Sequence, residues 1–366
     1  MPVSRLPWLA GVLTLLLAAL WAGLIRLGWA WPPLLAPLPM SHGPLMIGGF
    51  LGVVIGIERA VGLDSRPALL APALAGVGAL LTATGLGGVA GPLLITLGSL
   101  VLVVAGAAIV RIQPALFTAV IASGAVAWAV GNLLWLGGRP VPNVVLWWMG
   151  FLVLTIAGER LELSRLLRLS RGVRALFLVI VLVMVAGMVQ ATVDFTAGVR
   201  VTGVAWLLLA GWLLRFDIAR RRVRAGGQAR YVALALIAGY GWLAVGGLLA
   251  LTHNGAMAGP RYDALLHAVA VGFVFSMIFA HAPIIVPAVL RVDFLYHPRL
   301  YAPLALLHLS LALRILGDLL LWWPARLWGG LLGALAILFF LVLVITAVRR
   351  RAAVAAPPRV VPHAVL

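Results

Sequence analysis

The chain of 366 residues contains no cysteine and no lysine, and only nine of its residues are acidic. The missing thiols exclude disulfides, thiolate metal sites and cysteine nucleophiles. All 27 basic residues are therefore arginine, a usage that fits a GC-rich bacterial genome. Charged residues make up 10% of the chain, hydrophobic residues 64%, and the mean hydropathy is +1.15. A soluble domain of this length carries far more charge, so the expected solvent is lipid. There is no P-loop, no dinucleotide-binding glycine fingerprint, no nucleophile elbow and no zinc-protease motif. A net charge of +18 invites a nucleic-acid reading. It is rejected, because no binding module is present and the arginines sit in short connections between apolar runs, where they set topology.

What is abundant is apolar sequence in long runs. A bilayer span needs about 20 apolar residues. On that rule twelve spans are predicted, at roughly 8–30, 40–61, 68–86, 91–111, 114–136, 142–160, 174–193, 198–216, 230–252, 263–288, 301–321 and 326–347. The first lacks a small-residue processing site after a short apolar run and is read as a helix. With the N-terminus inside, 21 of the 27 arginines fall on the cytoplasmic side. The expected location is a bacterial inner membrane, with both termini cytoplasmic. Residues 1–348 are expected to form a single transmembrane domain, followed by a basic, disordered cytoplasmic tail over 349–366.

Three spans share a pattern, G-F-[LV]-x-x-x-I-x-x-[EH]. Its copies are Gly49-Phe50-Leu51 to Glu58, Gly150-Phe151-Leu152 to Glu159, and Gly272-Phe273-Val274 to His281. They start 101 and then 122 residues apart, about four spans each time, and fall on spans 2, 6 and 10. All three run from outside to inside under the arginine topology. An internal repeat of this kind comes before any fold assignment. It predicts an all-α integral membrane protein whose twelve helices form three pseudo-threefold four-helix units.

Ionisable residues inside a span are expensive and mark functional sites by default. Four of the seven histidines lie within predicted spans: His42, His267, His281 and His308. Together, with no cysteine, they favour imidazole ligation of metal or haem. His42 opens span 2 and His267 lies about one turn into span 10, so their depths should agree. A haem bridging spans 2 and 10 is geometrically allowed. His281 and His308 should also share a depth and form a possible inner pair. Arg314 and Asp318, four residues apart, read as an intrahelical ion pair, and Arg314 or Arg26 could hold a haem propionate. Glu58, Arg59, Glu159 and Arg160 end spans 2 and 6 and read as helix anchors or as a polar, proton-carrying cluster with His281. Pro283 and Pro287 should break the inner end of span 10. His297, in a cytoplasmic turn, and His363, in the tail, read as solvated, and His253, at an outer helix end before Asn254-Gly255, as a loop residue. Many of the fourteen tryptophans fall at predicted interfaces, as an aromatic belt does.

Twelve spans in three sets of four, with histidines on spans 2 and 10, resemble subunit I of the haem–copper oxidases. The segment His42-Gly43-Pro44-Leu45-Met46 is similar to that family's H-G-x-x-M, in which the histidine ligates a low-spin haem. Spans 6 and 7 carry no histidine, so the family's oxygen-reducing copper centre is not expected. A closer resemblance is to the NnrS-type membrane proteins, described as haem- and copper-containing and linked to the nitric oxide response. His42-x-x-x-Met46-x-x-Gly49-Phe50 resembles their H-x-H-E-M-x-x-G-F, and His267-Ala268-x-x-Val271-Gly272 resembles their H-A-x-x-V-G. Pro44 and Leu45 stand where that family has a second histidine and a glutamate, and the missing second histidine counts against a copper site. The resemblance implies haem b held by His42 and His267, and a small gas such as nitric oxide as partner. A solute transporter using the inner Glu, Arg and His positions, and a cofactor-free assembly subunit, are the alternatives.

Overall fold

In lipid a backbone N–H or C=O has no water to bond, so an apolar segment satisfies itself by coiling into a helix. The computed structural model, which describes residues 6–290 and 292–349, has twelve helices long and apolar enough to cross a membrane. They are α1 (Pro7–Leu27), α2 (Pro44–Gly62), α3 (Pro67–Thr84), α4 (Ala90–Ile112), α5 (Leu116–Leu136), α6 (Val141–Leu167), α7 (Arg171–Gln190), α8 (Phe195–Phe216), α9 (Gly227–Leu251), α10 (Pro260–Ala288), α11 (Pro298–Leu319) and α12 (Trp323–Ala347). Each expected span has its helix. The protein is an all-α membrane protein of twelve helices, and its outward faces carry large apolar side chains such as Val104 and Leu182, both more than half exposed. Such a surface suits hydrocarbon rather than water. The predicted tail over 349–366 lies outside the described residues from 350 onward.

Sequential helices pack as antiparallel neighbours through α3, α4, α5 and α6, through α7, α8 and α9, and as the pair α11 and α12, while α1 meets α12 and closes the bundle. The motif helices are interior. α6 is 83% buried and α2 61%, with α8 and α10 both at 56%. Phe50 on α2 and Phe275 on α10 stack with ring centres 6.1 Å apart. The repeated glycines and phenylalanines thus belong to the helices that form the centre of the bundle.

Two of the motif helices are not regular. α2 begins with a π-helical stretch, Pro44–Leu51, and α10 carries another, Ala268–Phe275. Each holds the Gly-Phe pair of its repeat and each follows a histidine, His42 or His267. α6, the copy with no histidine, is α-helical over the same pair. π segments insert extra backbone into a helix and concentrate at functional sites.

The prolines of α10 behave otherwise than expected. Pro283 and Pro287 lie inside the helix rather than ending it. Pro287 has no N–H for the Pro283 carbonyl four residues earlier, and the Gln228 side chain of α9 donates to that carbonyl instead, at 3.3 Å. Beyond α10, Asp293–Phe294 pairs antiparallel with Val348–Arg349 in a two-residue bridge.

Candidate functional site at the histidine end

Three elements bring His42 to the centre. Pro39–Ser41 forms a single 3₁₀ turn, and the Ser41 hydroxyl donates to the Thr82 carbonyl at the end of α3. Pro44 then starts α2 where a missing N–H costs nothing. The His42 ring turns back to α1, its Nδ1 2.8 Å from the Ala19 carbonyl. A carbonyl can only accept, so Nδ1 carries the proton and Nε2 keeps its lone pair. Gly23, one turn after Ala19, makes that approach possible: a Cβ there would lie 2.7 Å from His42 Cε1 and 2.8 Å from Nδ1.

His267 is held in the same tautomer by its own helix. Its Nδ1 donates to the Asp263 carbonyl at 2.9 Å, and the Asp263 carboxylate is 3.4 Å away. That carboxylate is in turn clamped by Arg314 of α11, whose Nε and Nη2 donate at 2.9 and 3.0 Å. The fork geometry of a guanidinium on a carboxylate fixes both partners. An acceptor behind the ring, reinforced by an anion, is how proteins aim an imidazole and raise its basicity.

The two rings lie close together in the bundle. Their centres are 6.3 Å apart and their planes differ by 13°. Neither Nε2 has a hydrogen bond among the described residues, and both rings line a cavity of about 570 Å³ between α1, α2, α6, α10, α11 and α12. That volume is typical of a small-molecule or cofactor site. Its wall is mainly aliphatic, with Met40, Met46 and Met257 among the lining residues, and Arg26, Arg314 and Arg326 at its polar edge. Arg326 is paired with Asp318 at 2.6 Å. Arg26 has no carboxylate partner among the described residues; its Nη1 lies 3.9 Å from the Met40 sulfur.

Several expectations are corrected here. Arg314 does not pair with Asp318 within its helix. It reaches across to Asp263, and Asp318 goes to Arg326, because the close α11–α12 and α10–α11 packing supplies better-placed partners than a helix turn. His281 and His308 do not form an inner pair. His281 Nε2 accepts from Arg160 Nη1 at 3.3 Å, and His308 Nδ1 accepts from Trp242 at 3.0 Å. Each ring thus has a different partner, and the buried His308 Nε2 has no hydrogen bond among the described residues. His253 lies in the loop after α9, as expected, and is buried there: its carbonyl takes two bonds from Arg200, at 3.2 and 3.0 Å, and its ring meets Phe195 edge-on. Burial holds its pKa below the usual histidine value. His297 is exposed, as read from the sequence, and His363 lies outside the described residues.

At the opposite end the four charged motif residues divide into two clusters. Arg59 of α2 pairs with its neighbour Glu58 and with Glu159 of α6. Arg160 turns the other way, buried, and binds both oxygens of Asp217 at 2.8 Å. Asp217 and Asp263, which organise the two ends of the bundle, were missed by sequence reasoning. Both sit just outside an apolar run, where a carboxylate reads as an ordinary helix end; Asp263, four residues before His267, was the one detectable signal. Among the described residues no three His, Asp or Glu side chains gather to hold a metal ion.

A family model described as Domain of unknown function (DUF8744) matches residues 5–349. No curated protein and no solved structure matches the chain. The match spans nearly the whole helical bundle, and the chain belongs to the DUF8744 family.

Proposed function

We propose that this protein binds haem b between His42 and His267 and serves membrane electron transfer. The spacing and near-parallel planes of the two rings carry the reading. A metal–imidazole bond of about 2.0 Å plus roughly 1.2 Å from ring nitrogen to ring centre puts two ligands on opposite sides of one metal ion about 6.4 Å apart. The observed 6.3 Å fits that span, and the ring planes are nearly parallel. Both Nδ1 protons are already donated to carbonyls, so both lone pairs are available on the cavity side. Two protein ligands alone make a poor metal site, which supports a metal that brings its own equatorial donors, as a porphyrin does. There is no C-x-x-C-H attachment motif in the sequence, so the haem would be non-covalent. Arg26, without a carboxylate partner, is the guanidinium best placed to receive a propionate; Arg314 is occupied with Asp263 and acts on His267 instead.

When bound, the haem would supply a one-electron couple in a dry pocket. The protein's own residues set the conditions. His42 and His267 would hold the haem, Asp263 and Arg314 fix one imidazole, and the aliphatic wall excludes water. Because His42 and His267 would both be engaged in holding the haem, the arrangement favours electron transfer over binding of a gas such as nitric oxide. The arginine distribution supports an inner-membrane protein with this site near the outer face.

The test is the visible spectrum of detergent-purified protein from haem-replete cells. A low-spin, six-coordinate haem b spectrum is expected, lost in His42→Ala and His267→Ala. A colourless wild-type preparation would remove the proposal. Transport remains the second reading, favoured if solute flux in proteoliposomes falls in Glu159→Gln and is unchanged in His267→Ala.

A further inference from the structure

At the end of the bundle opposite the histidines, a second cavity of about 700 Å³ opens between the start of α7 and the segment that follows α8. Arg168, Arg215, Arg220, Arg221 and Arg224 line it. None of the five is ion-paired among the described residues, and all are exposed. One carboxylate also faces the cavity, Asp217, but it offers little negative charge. Both its oxygens are bound by Arg160, and one accepts from the Ala219 N–H as well. Five guanidinium groups therefore converge with no counter-charge from the protein. The rule that arginine gathers on the cytoplasmic side accounts for their number; it does not account for their gathering around one hollow, where they repel each other unless an anion is present.

The hollow has two further features. It lies at the N-terminal end of α7, a helix of 20 residues that begins at Arg171; the Ser170 hydroxyl caps the Val173 N–H there, and the remaining N–H groups of the first turn favour an anion. Its remaining wall is apolar, with Leu167, Leu169, Val173 and Phe216. A charged rim over an apolar wall at the end of membrane helices suits an amphipathic anion.

We propose that this cavity binds a phosphate-bearing anion, either the headgroup of an anionic phospholipid or free phosphate. Arginine forks match phosphate oxygens, and basic pockets between membrane helices recognise such headgroups. The site shares no residue with the histidine cavity and stands whether or not haem is bound there.

The test uses the full-length protein in detergent. Native mass spectrometry measures retention of added phosphatidylglycerol against phosphatidylcholine, and thermal shift measures stabilisation by inorganic phosphate. The Arg220→Gln/Arg221→Gln/Arg224→Gln triple variant is compared with Arg111→Gln, an exposed arginine at the same end of the bundle but outside the cavity. Wild-type protein is expected to retain phosphatidylglycerol over phosphatidylcholine, with the triple variant weakened by at least about tenfold, at roughly a fivefold loss per arginine, and Arg111→Gln unchanged. Stabilisation by inorganic phosphate alone, lost in the triple variant, supports the same chemistry with free phosphate as the source. Equal retention of the two lipids without any phosphate effect, or a triple variant that binds like wild type, overturns the proposal. Should the triple variant fail to fold, wild-type binding that survives high salt overturns it equally, because a cluster of exposed arginines loses its hold on an anion when screened.

Discussion

Gly23 decides whether His42 can reach the cavity. A helix carbonyl is ordinarily screened by the side chain one turn later, and here that residue has none. Gly23→Ala places a methyl within 2.8 Å of the His42 ring, so the ring must give up its bond to Ala19 or leave the axis it shares with His267. The expected outcome is haem content reduced by about tenfold, a loss of about 1.4 kcal/mol, in protein that still accumulates in the membrane. Pyridine haemochrome absorbance per protein measures it. Asp263 works by charge. Its carboxylate stands behind His267 and stabilises positive charge on a ligated iron. Asp263→Asn keeps the backbone carbonyl that orients the ring but loses the charge, so the midpoint potential should rise in a redox titration. An unchanged potential would mean that the carboxylate serves only to seat Arg314. His42 and His267 were legible in the sequence because they interrupt apolar runs near the starts of two repeated helices. Asp263 as a partner of Arg314 was not, since 51 residues separate them and nothing local shows their meeting.

The π segments govern the geometry of the helices. An α-helix advances about 100° per residue, so one inserted residue turns everything before it relative to everything after it. In α10 the insertion lies between His267 and the half of the helix anchored by Pro283 and Arg160's contact with His281. Deleting Val271, within Ala268–Phe275, should restore regular winding and swing His267 about 100° away from His42. The expected result is loss of the low-spin spectrum with membrane insertion retained, read by absorbance and by flotation of the membrane fraction. The repeat and its period were evident from composition and spacing. The departure of two copies from α-helical winding was not, because the same glycine and phenylalanine wind normally in α6; what distinguishes them is the neighbours against which they pack.

Across the whole molecule, polarity is segregated into two ends. One holds the histidine cavity, the other the Arg59–Glu159 and Arg160–Asp217 pairs and the basic hollow. The topology proposed from the arginine count has the second end facing the cytoplasm. A chain without native cysteine allows this to be checked directly. A cysteine introduced at Ala36 should react with an impermeant maleimide from the periplasmic side, and one at Gly226 only after the membrane is permeabilised. The reverse pattern would invert the topology and move the histidine cavity to the inner face.

By itself the sequence determined the solvent, the twelve helices, the threefold repeat and the two histidines at matching depth, because these depend on local hydropathy and on spacing along one chain. Tertiary structure decided which imidazoles come together, which arginines are spoken for by carboxylates and which are left to converge on a hollow. Those outcomes depend on the rotation of each helix about its axis and on contacts between residues up to a hundred or more positions apart, and no periodicity along the chain records either.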